Sequence, residues 1–101
     1  MQVKEAAPRF SLILPMRYRP LGETKWRPAK TVNVSASGLL FDASEPLQIG
    51  KKLELEVSMT TSYLRPSKII ATSEVLRQKK GSLVTAVRHL QYRTDEGEIP
   101  V

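Results

Sequence analysis

The chain has no cysteine and a single histidine among its 101 residues. The first absence removes disulfide frameworks, thiolate metal sites and cysteine nucleophiles together, and it fits a reducing compartment. The second leaves His89 unable to build the usual histidine-rich zinc site. Within Ala86-Val87-Arg88-His89-Leu90 it reads as a strand residue with a structural or surface role. A Ser-His-Asp triad drawn from Asp42 or Asp95 lacks the glycine-framed nucleophile elbow. Glu54 and Glu56 read as a solvated strand face, Asp42 and Glu45 as part of a turn, and there is no glycine-rich phosphate loop. Catalysis is not expected.

Long apolar runs are missing as well. None approaches the ~20 residues needed to span a bilayer, and Met1-Gln2-Val3-Lys4-Glu5 carries no apolar signal segment. The expectation is a cytoplasmic chain without membrane insertion. Aromatics number only six: Phe10, Tyr18, Trp26, Phe41, Tyr63 and Tyr92. Small basic barrels hold single-stranded nucleic acid by stacking bases on aromatics in a positive groove. Alternation turns Tyr18 and Phe41 inward and the other four share no strand, so no specific nucleic acid is expected. What the chain does have is positive charge, net +6 with a pI near 9.9. That balance suits a phosphate-bearing nucleotide, a nucleic acid or an anionic membrane surface, besides solubility. The basic residues come as scattered pairs such as Lys51-Lys52 and Lys79-Lys80, not as a tail.

A chain of this length holds one small domain. Its apolar periodicity is two rather than 3.6. Leu12, Leu14, Met16 and Tyr18 alternate with Ser11, Ile13, Pro15 and Arg17; Leu53, Leu55, Val57 and Met59 alternate with Lys52, Glu54, Glu56 and Ser58. Each run has one face for a core and one for water. Further strands are expected over 26–35, 38–42, 67–78 and 82–90. Breakers separate them: Pro20-Leu21-Gly22-Glu23, Ser37-Gly38, Ile49-Gly50, Arg65-Pro66 and Lys79-Lys80-Gly81. Short strands at regular intervals predict an all-β barrel or sandwich with little helix. Pro15 and Pro28 lack a backbone donor and belong at a strand end, an edge or a bulge. The expected core includes Leu12, Leu14, Val32, Val34, Leu53, Leu55, Val57 and Val87. The acidic, aperiodic residues 92–101 read as a disordered tail.

The most informative stretch is Asn33-Val34-Ser35-Ala36-Ser37-Gly38. On a strand, Val32 and Val34 face a core while Asn33 and Ser35 project together from the other side. Gly38 supplies the backbone freedom needed where a chain reverses tightly or a ligand comes close. An amide and a hydroxyl above a glycine turn suit a hydrogen-bonding ligand edge.

This stretch resembles the (Asp/Asn)-x-Ser-x-x-Gly signature of the PilZ family, bacterial receptors for cyclic di-GMP. Arg9 followed by Phe10-Ser11-Leu12-Ile13-Leu14-Pro15-Met16-Arg17-Tyr18-Arg19 is similar to the family's opening arginine and first strand. Glu45-Pro46-Leu47-Gln48-Ile49-Gly50-Lys51-Lys52-Leu53-Glu54-Leu55-Glu56-Val57 is similar to its loop and following strand. The resemblance covers roughly residues 5 to 90. It implies a six-stranded antiparallel PilZ-like β-barrel over 11–91, its C-terminal helix short or absent, preceded by a flexible leader over 1–10. One position departs. The family's Arg-x-x-x-Arg motif reads Glu5-Ala6-Ala7-Pro8-Arg9 here, a carboxylate in place of the first arginine.

The resemblance implies a non-catalytic cyclic di-GMP-binding signalling domain that acts on an effector protein and needs no cofactor. Its ligand residues carry over as Arg9, Asn33, Ser35 and Gly38, with Lys4 a candidate by a one-residue slip. A guanidinium can meet guanine O6 and N7 with two parallel hydrogen bonds, worth roughly 1–3 kcal/mol of discrimination. A site lacking one such arginine needs Lys4, Arg17 or Arg19 to compensate. The alternative is a degenerate adaptor that binds a partner protein without nucleotide, and a nucleic-acid-binding barrel comes third.

Overall fold

In the computed structural model, which describes residues 10–60 and 66–94, six antiparallel strands close into a barrel. They are β1 (Pro15–Pro20), β2 (Arg27–Val34), β3 (Gly38–Asp42), β4 (Lys52–Thr60), β5 (Pro66–Gln78) and β6 (Val84–Thr94). Their order around the barrel is β1-β2-β3-β6-β5-β4, with β4 returning to pair with β1. Strands β1 to β3 form a meander and β4 comes back beside β1, so the first four make a Greek key. Closure leaves no sheet edge exposed to other chains. No helix occurs among the described residues. β6 continues through Tyr92 to Thr94, beyond the barrel boundary expected at residue 91.

The alternation in β4 holds residue by residue: Leu53, Leu55 and Val57 are buried, while Glu54 and Glu56 are half-buried on the outer face. Those glutamates meet the outer face of β1, where Arg19 pairs with Glu54 at 2.8 Å and Arg17 pairs with Glu56. Trp26 completes that face, with the Arg17 and Arg19 guanidinium carbons 4.3 and 4.1 Å from its ring centroid. Inside, the Tyr18 and Phe41 rings stand 5.1 Å apart, both fully buried as alternation expected. Burial raises the Tyr18 hydroxyl above its ordinary pKa, so it stays protonated and donates to Glu45 at 2.9 Å. The same oxygen accepts the Ser44 backbone N–H at 3.1 Å.

Pro15 opens β1. Pro28 sits opposite Arg17, in a part of β2 that β3 does not reach, since that pairing begins at Lys30 and Asp42. Both prolines therefore stand where a missing donor is tolerated.

Four of the eight expected core residues are fully buried: Leu53, Leu55, Val57 and Val87. Leu14 and Val34 are partly buried and packed against the core. Leu12 is 40% exposed and Val32 only half-buried, which corrects both expectations. Val32 is displaced by a β-bulge: Thr31 pairs with Phe41 and Asn33 with Leu40, leaving Val32 as the extra residue. Thr31 takes the inward position instead, and its hydroxyl donates to the Leu12 carbonyl at 2.6 Å and accepts the Leu14 N–H at 2.8 Å. Residues 10–14 thus lie along β2 through the Thr31 hydroxyl, the Thr31 N–H donated to the Leu14 carbonyl at 3.0 Å and the Phe10 bridge, which leaves Leu12 facing water.

Two further bulges interrupt the pairing of β5 with β6, at Leu90 and Leu76. Each shifts the inward phase by one residue. Val75 and Gln78 consequently both face inward across Leu76, and His89 and Tyr92 share one face across Leu90.

The two ends are finished differently. Loop 43–51 connects β3 to β4 across one end of the barrel. Along the way Ala43 N–H donates to the Leu83 carbonyl at 3.0 Å and Gly50 N–H to the Val75 carbonyl at 2.8 Å. Gln78 accepts the Leu47 N–H at 3.2 Å and donates to the Glu45 carbonyl and the Thr85 hydroxyl. Leu47 packs onto the core, so this end is closed. At the opposite end no described segment crosses. There the turn 35–37 joins β2 to β3.

Candidate functional site

At the open end lies a cavity of about 230 Å³, bordered by Leu14, Val34, Leu39, Val57 and Ala71 from the barrel's inner face. Its mouth carries Phe10, Ser35, His89 and Tyr92. Phe10 and Tyr92 are more than half exposed, so two aromatic faces flank the opening. Phe10 is held by a two-way bridge: its N–H donates to the Val34 carbonyl at 2.9 Å and its carbonyl accepts the Val34 N–H at 3.0 Å. The last residue of the leader is therefore fastened directly beside the turn.

The turn is internally organised. Ser35 N–H donates to the Gly38 carbonyl at 2.9 Å, and the Ser35 hydroxyl donates to the same carbonyl at 3.1 Å. That hydroxyl also accepts the Gly38 N–H at 3.3 Å and lies 3.3 Å from the Ser37 hydroxyl. Short polar side chains bind nearby backbone in this way and fix the turn. Ser35 accordingly shapes the loop, and its hydroxyl is already part of a network. The Ser37 carbonyl accepts the His89 N–H at 2.8 Å, which ties the turn to β6.

Gly38 serves a different purpose from the one its sequence position suggests. Its φ is not positive, unlike those of Gly22, Gly50 and Gly81. It opens β3 opposite Arg88, and a Cβ built there would lie 2.2 Å from the Val87 carbonyl oxygen. Only glycine lets β6 approach so closely. The signature glycine is a packing residue, and it sets the turn against β6.

Asn33 pairs with Leu40 just before the turn and is half-buried. Val34 and Ser35 border the cavity and Asn33 does not. The bulge at Val32 thus alters the simple alternation that put Asn33 and Ser35 together on a face away from the core. Arg9 and Lys4 lie outside the described residues. Arg17 and Arg19 are elsewhere: Arg17 pairs with Pro28, five residues along β2 from Asn33, a separation of ~16 Å at strand rise. Both arginines are engaged by Glu56, Glu54 and Trp26, so neither replaces a missing arginine at the turn. Arg88, opposite Gly38, is held at 2.8 Å by Glu74, and its hydrogen bond keeps the Glu74 carboxyl below its ordinary range.

His89 and Tyr92 are the site residues that the sequence pattern did not single out. Their rings meet edge to face at 5.7 Å. His89 Nδ1 lies 2.8 Å from the hydroxyl of fully buried Ser73. Burial lowers the imidazole pKa below 6.5 and favours the neutral ring. No group of three or more metal-ligating side chains occurs among the described residues.

A family model described as the PilZ domain matches residues 4–98. A solved structure of Bacillus subtilis inhibitor of motility (MotI/DgrA) superposes with a TM-score of 0.72 at 16% identity. The match covers 92% of this chain and 45% of that one, so this chain spans less than half the length of that protein. No curated protein matches the sequence. Six antiparallel strands in this order, the Asn33-x-Ser35-x-x-Gly38 turn beside the Phe10 bridge and a family match over nearly the whole chain lead to one assignment: the chain belongs to the PilZ domain family.

Proposed function

We propose that this PilZ domain is a non-catalytic receptor for cyclic di-GMP, which it takes at the open end of the barrel. The observation that carries this reading is the Phe10–Val34 bridge, which fastens the residue following Arg9 beside the Asn33–Gly38 turn. Guanine offers two adjacent acceptors that a guanidinium meets in one plane, and Arg9 supplies that group. Phe10 and Tyr92 offer exposed ring faces on which a purine can stack. At about 230 Å³ the cavity is small for a ligand of this size, so the nucleotide lies across its mouth. Ordering of the leader over the ligand then changes the surface offered to an effector protein.

A second reading is the adaptor that has lost its nucleotide. It is favoured by Glu5, which stands where the family has arginine, and by the prior engagement of Arg17 and Arg19. Calorimetric titration with cyclic di-GMP separates the two. The receptor reading expects binding that Arg9→Ala weakens by about 1–3 kcal/mol. Glu5→Arg should tighten it at least about tenfold, or ~1.4 kcal/mol, by removing a repulsive carboxylate and adding a guanidinium. Binding by Glu5→Arg alone makes the wild-type chain an adaptor. Binding by neither, with the fold intact, removes the ligand from consideration.

A further inference from the structure

The closed end of the barrel carries a second surface, independent of the nucleotide reading. Turn 21–26, loop 43–51 and turn 79–83 meet there. Leu21 N–H donates to the Lys52 carbonyl at 3.0 Å, and loop 43–51 is bonded to β5 at Val75 and Gln78, next to Lys79. The cluster gathers Lys25, Lys51, Arg77, Lys79 and Lys80, all exposed. None of them belongs to an ion pair among the described residues. Of the carboxylates at this end, exposed Asp42 is in no ion pair among the described residues, and the others are committed. Glu23 and Glu45 share Arg27 at 3.2 and 2.7 Å, and Glu74, opposite Lys52, is held by Arg88. Among these cations two aliphatic side chains stand out from the loops, Ile49 at 74% exposure and Leu21 at 51%.

We propose that this end docks peripherally on an anionic phospholipid bilayer, with Ile49 and Leu21 entering the headgroup boundary and the lysines at the phosphate layer. Lysine is a compact point charge that acts through diffuse attraction, and each one near an anionic surface raises partitioning by about fivefold. Aliphatic tips flanked by lysines suit the boundary between headgroups and acyl chains. A nucleic acid would be read by aromatic platforms and planar guanidiniums. Here the aromatic of this end, Trp26, already carries Arg17 and Arg19 against its ring. Because the strands run from one end to the other, docking by this surface leaves the Asn33–Gly38 turn facing away from the bilayer.

Co-sedimentation of the full chain with vesicles tests this. Vesicles of phosphatidylcholine mixed with phosphatidylglycerol should bring the protein down, vesicles of phosphatidylcholine alone should not, and added salt should release it. Lys79→Ala with Lys80→Ala should lower partitioning about 25-fold, the product of two fivefold losses. Ile49→Ser should lower it several-fold with the same salt slope as wild type. Lys68→Ala with Arg93→Ala removes the same charge at the opposite end and should have much less effect. All variants should keep the strand spectrum, since every substituted residue lies outside the buried core. Absence of binding to the anionic vesicles overturns the proposal. So does an equal loss in the Lys68/Arg93 pair, which would make net charge alone responsible. Preference for poly-glutamate or an oligonucleotide over the vesicles would assign the surface to a macromolecule instead.

Discussion

At one end of this barrel, loop 43–51 crosses the interior and satisfies its backbone groups on Leu83, Val75 and Gln78; at the other, the inner face of the same strands borders a cavity. The closed end keeps Leu53 fully buried. The open end leaves Leu14 and Val34 partly covered and surrounds them with Phe10, His89 and Tyr92. Two of the three bulges, at Val32 and Leu90, flank the turn at the open end. Bulges re-aim side chains and recur beside functional sites. The difference between the ends is thus a division of labour: packing is completed where loop 43–51 crosses over, and at the other end side chains are turned toward the cavity.

The sharpest way to break this comparison is at Gly38. A methyl group there meets the Val87 backbone oxygen and not a movable side chain. Gly38→Ala should destabilise the barrel by about 2–3 kcal/mol through forced separation of β3 and β6. Denaturant unfolding measures it. The comparison substitution is Gly22→Ala, where nothing crowds the new methyl and only the positive φ opposes it, and it should cost about 1–2 kcal/mol.

A larger loss comes from truncating a leucine at the closed end, and a smaller one from the same deletion at the open end. Leu53→Ala should cost about 3–5 kcal/mol, because the closed end cannot admit water into the hole. Leu39→Ala, although Leu39 is also buried, only enlarges a space that is already open, and should cost about 2 kcal/mol. Equal losses would mean that the open end is as tightly packed as the closed one.

The smallest effect concerns His89. Its pKa is lowered in the fold by burial, so the unfolded chain binds the proton more readily. Stability should therefore fall as pH drops below about 6.5 toward the lower folded value, and level off beneath it. His89→Gln should flatten that dependence. Thermal unfolding between pH 8 and pH 5, read in both proteins, checks the sign.

Much of the closed end could be read from the sequence. β4 alternates without interruption, so period two alone points Leu53, Leu55 and Val57 inward and Glu54 and Glu56 outward. β3 begins and ends where the breakers put it, at Gly38 and Asp42. The open end was legible in its motif and not in its geometry. A bulge adds one residue without any mark in composition, which is why Val32 was expected in the core and why His89 and Tyr92 were not seen as neighbours. The reason for Gly38 lies in Val87, nearly fifty residues away along the chain, a contact that local conformational preference cannot reveal. Alternation points Leu12 inward, yet only Thr31 and the Phe10 bridge hold its segment to β2.

The proposal that the open end takes the nucleotide is tested most directly by an amide chemical-shift titration of the labelled protein with cyclic di-GMP. Shifts are expected at Phe10, Ser35, Ser37, Gly38, His89 and Tyr92, with loop 43–51 and turn 79–83 unmoved. Shifts centred on Lys51, Lys79 and Lys80, with the Asn33–Gly38 turn silent, would contradict it.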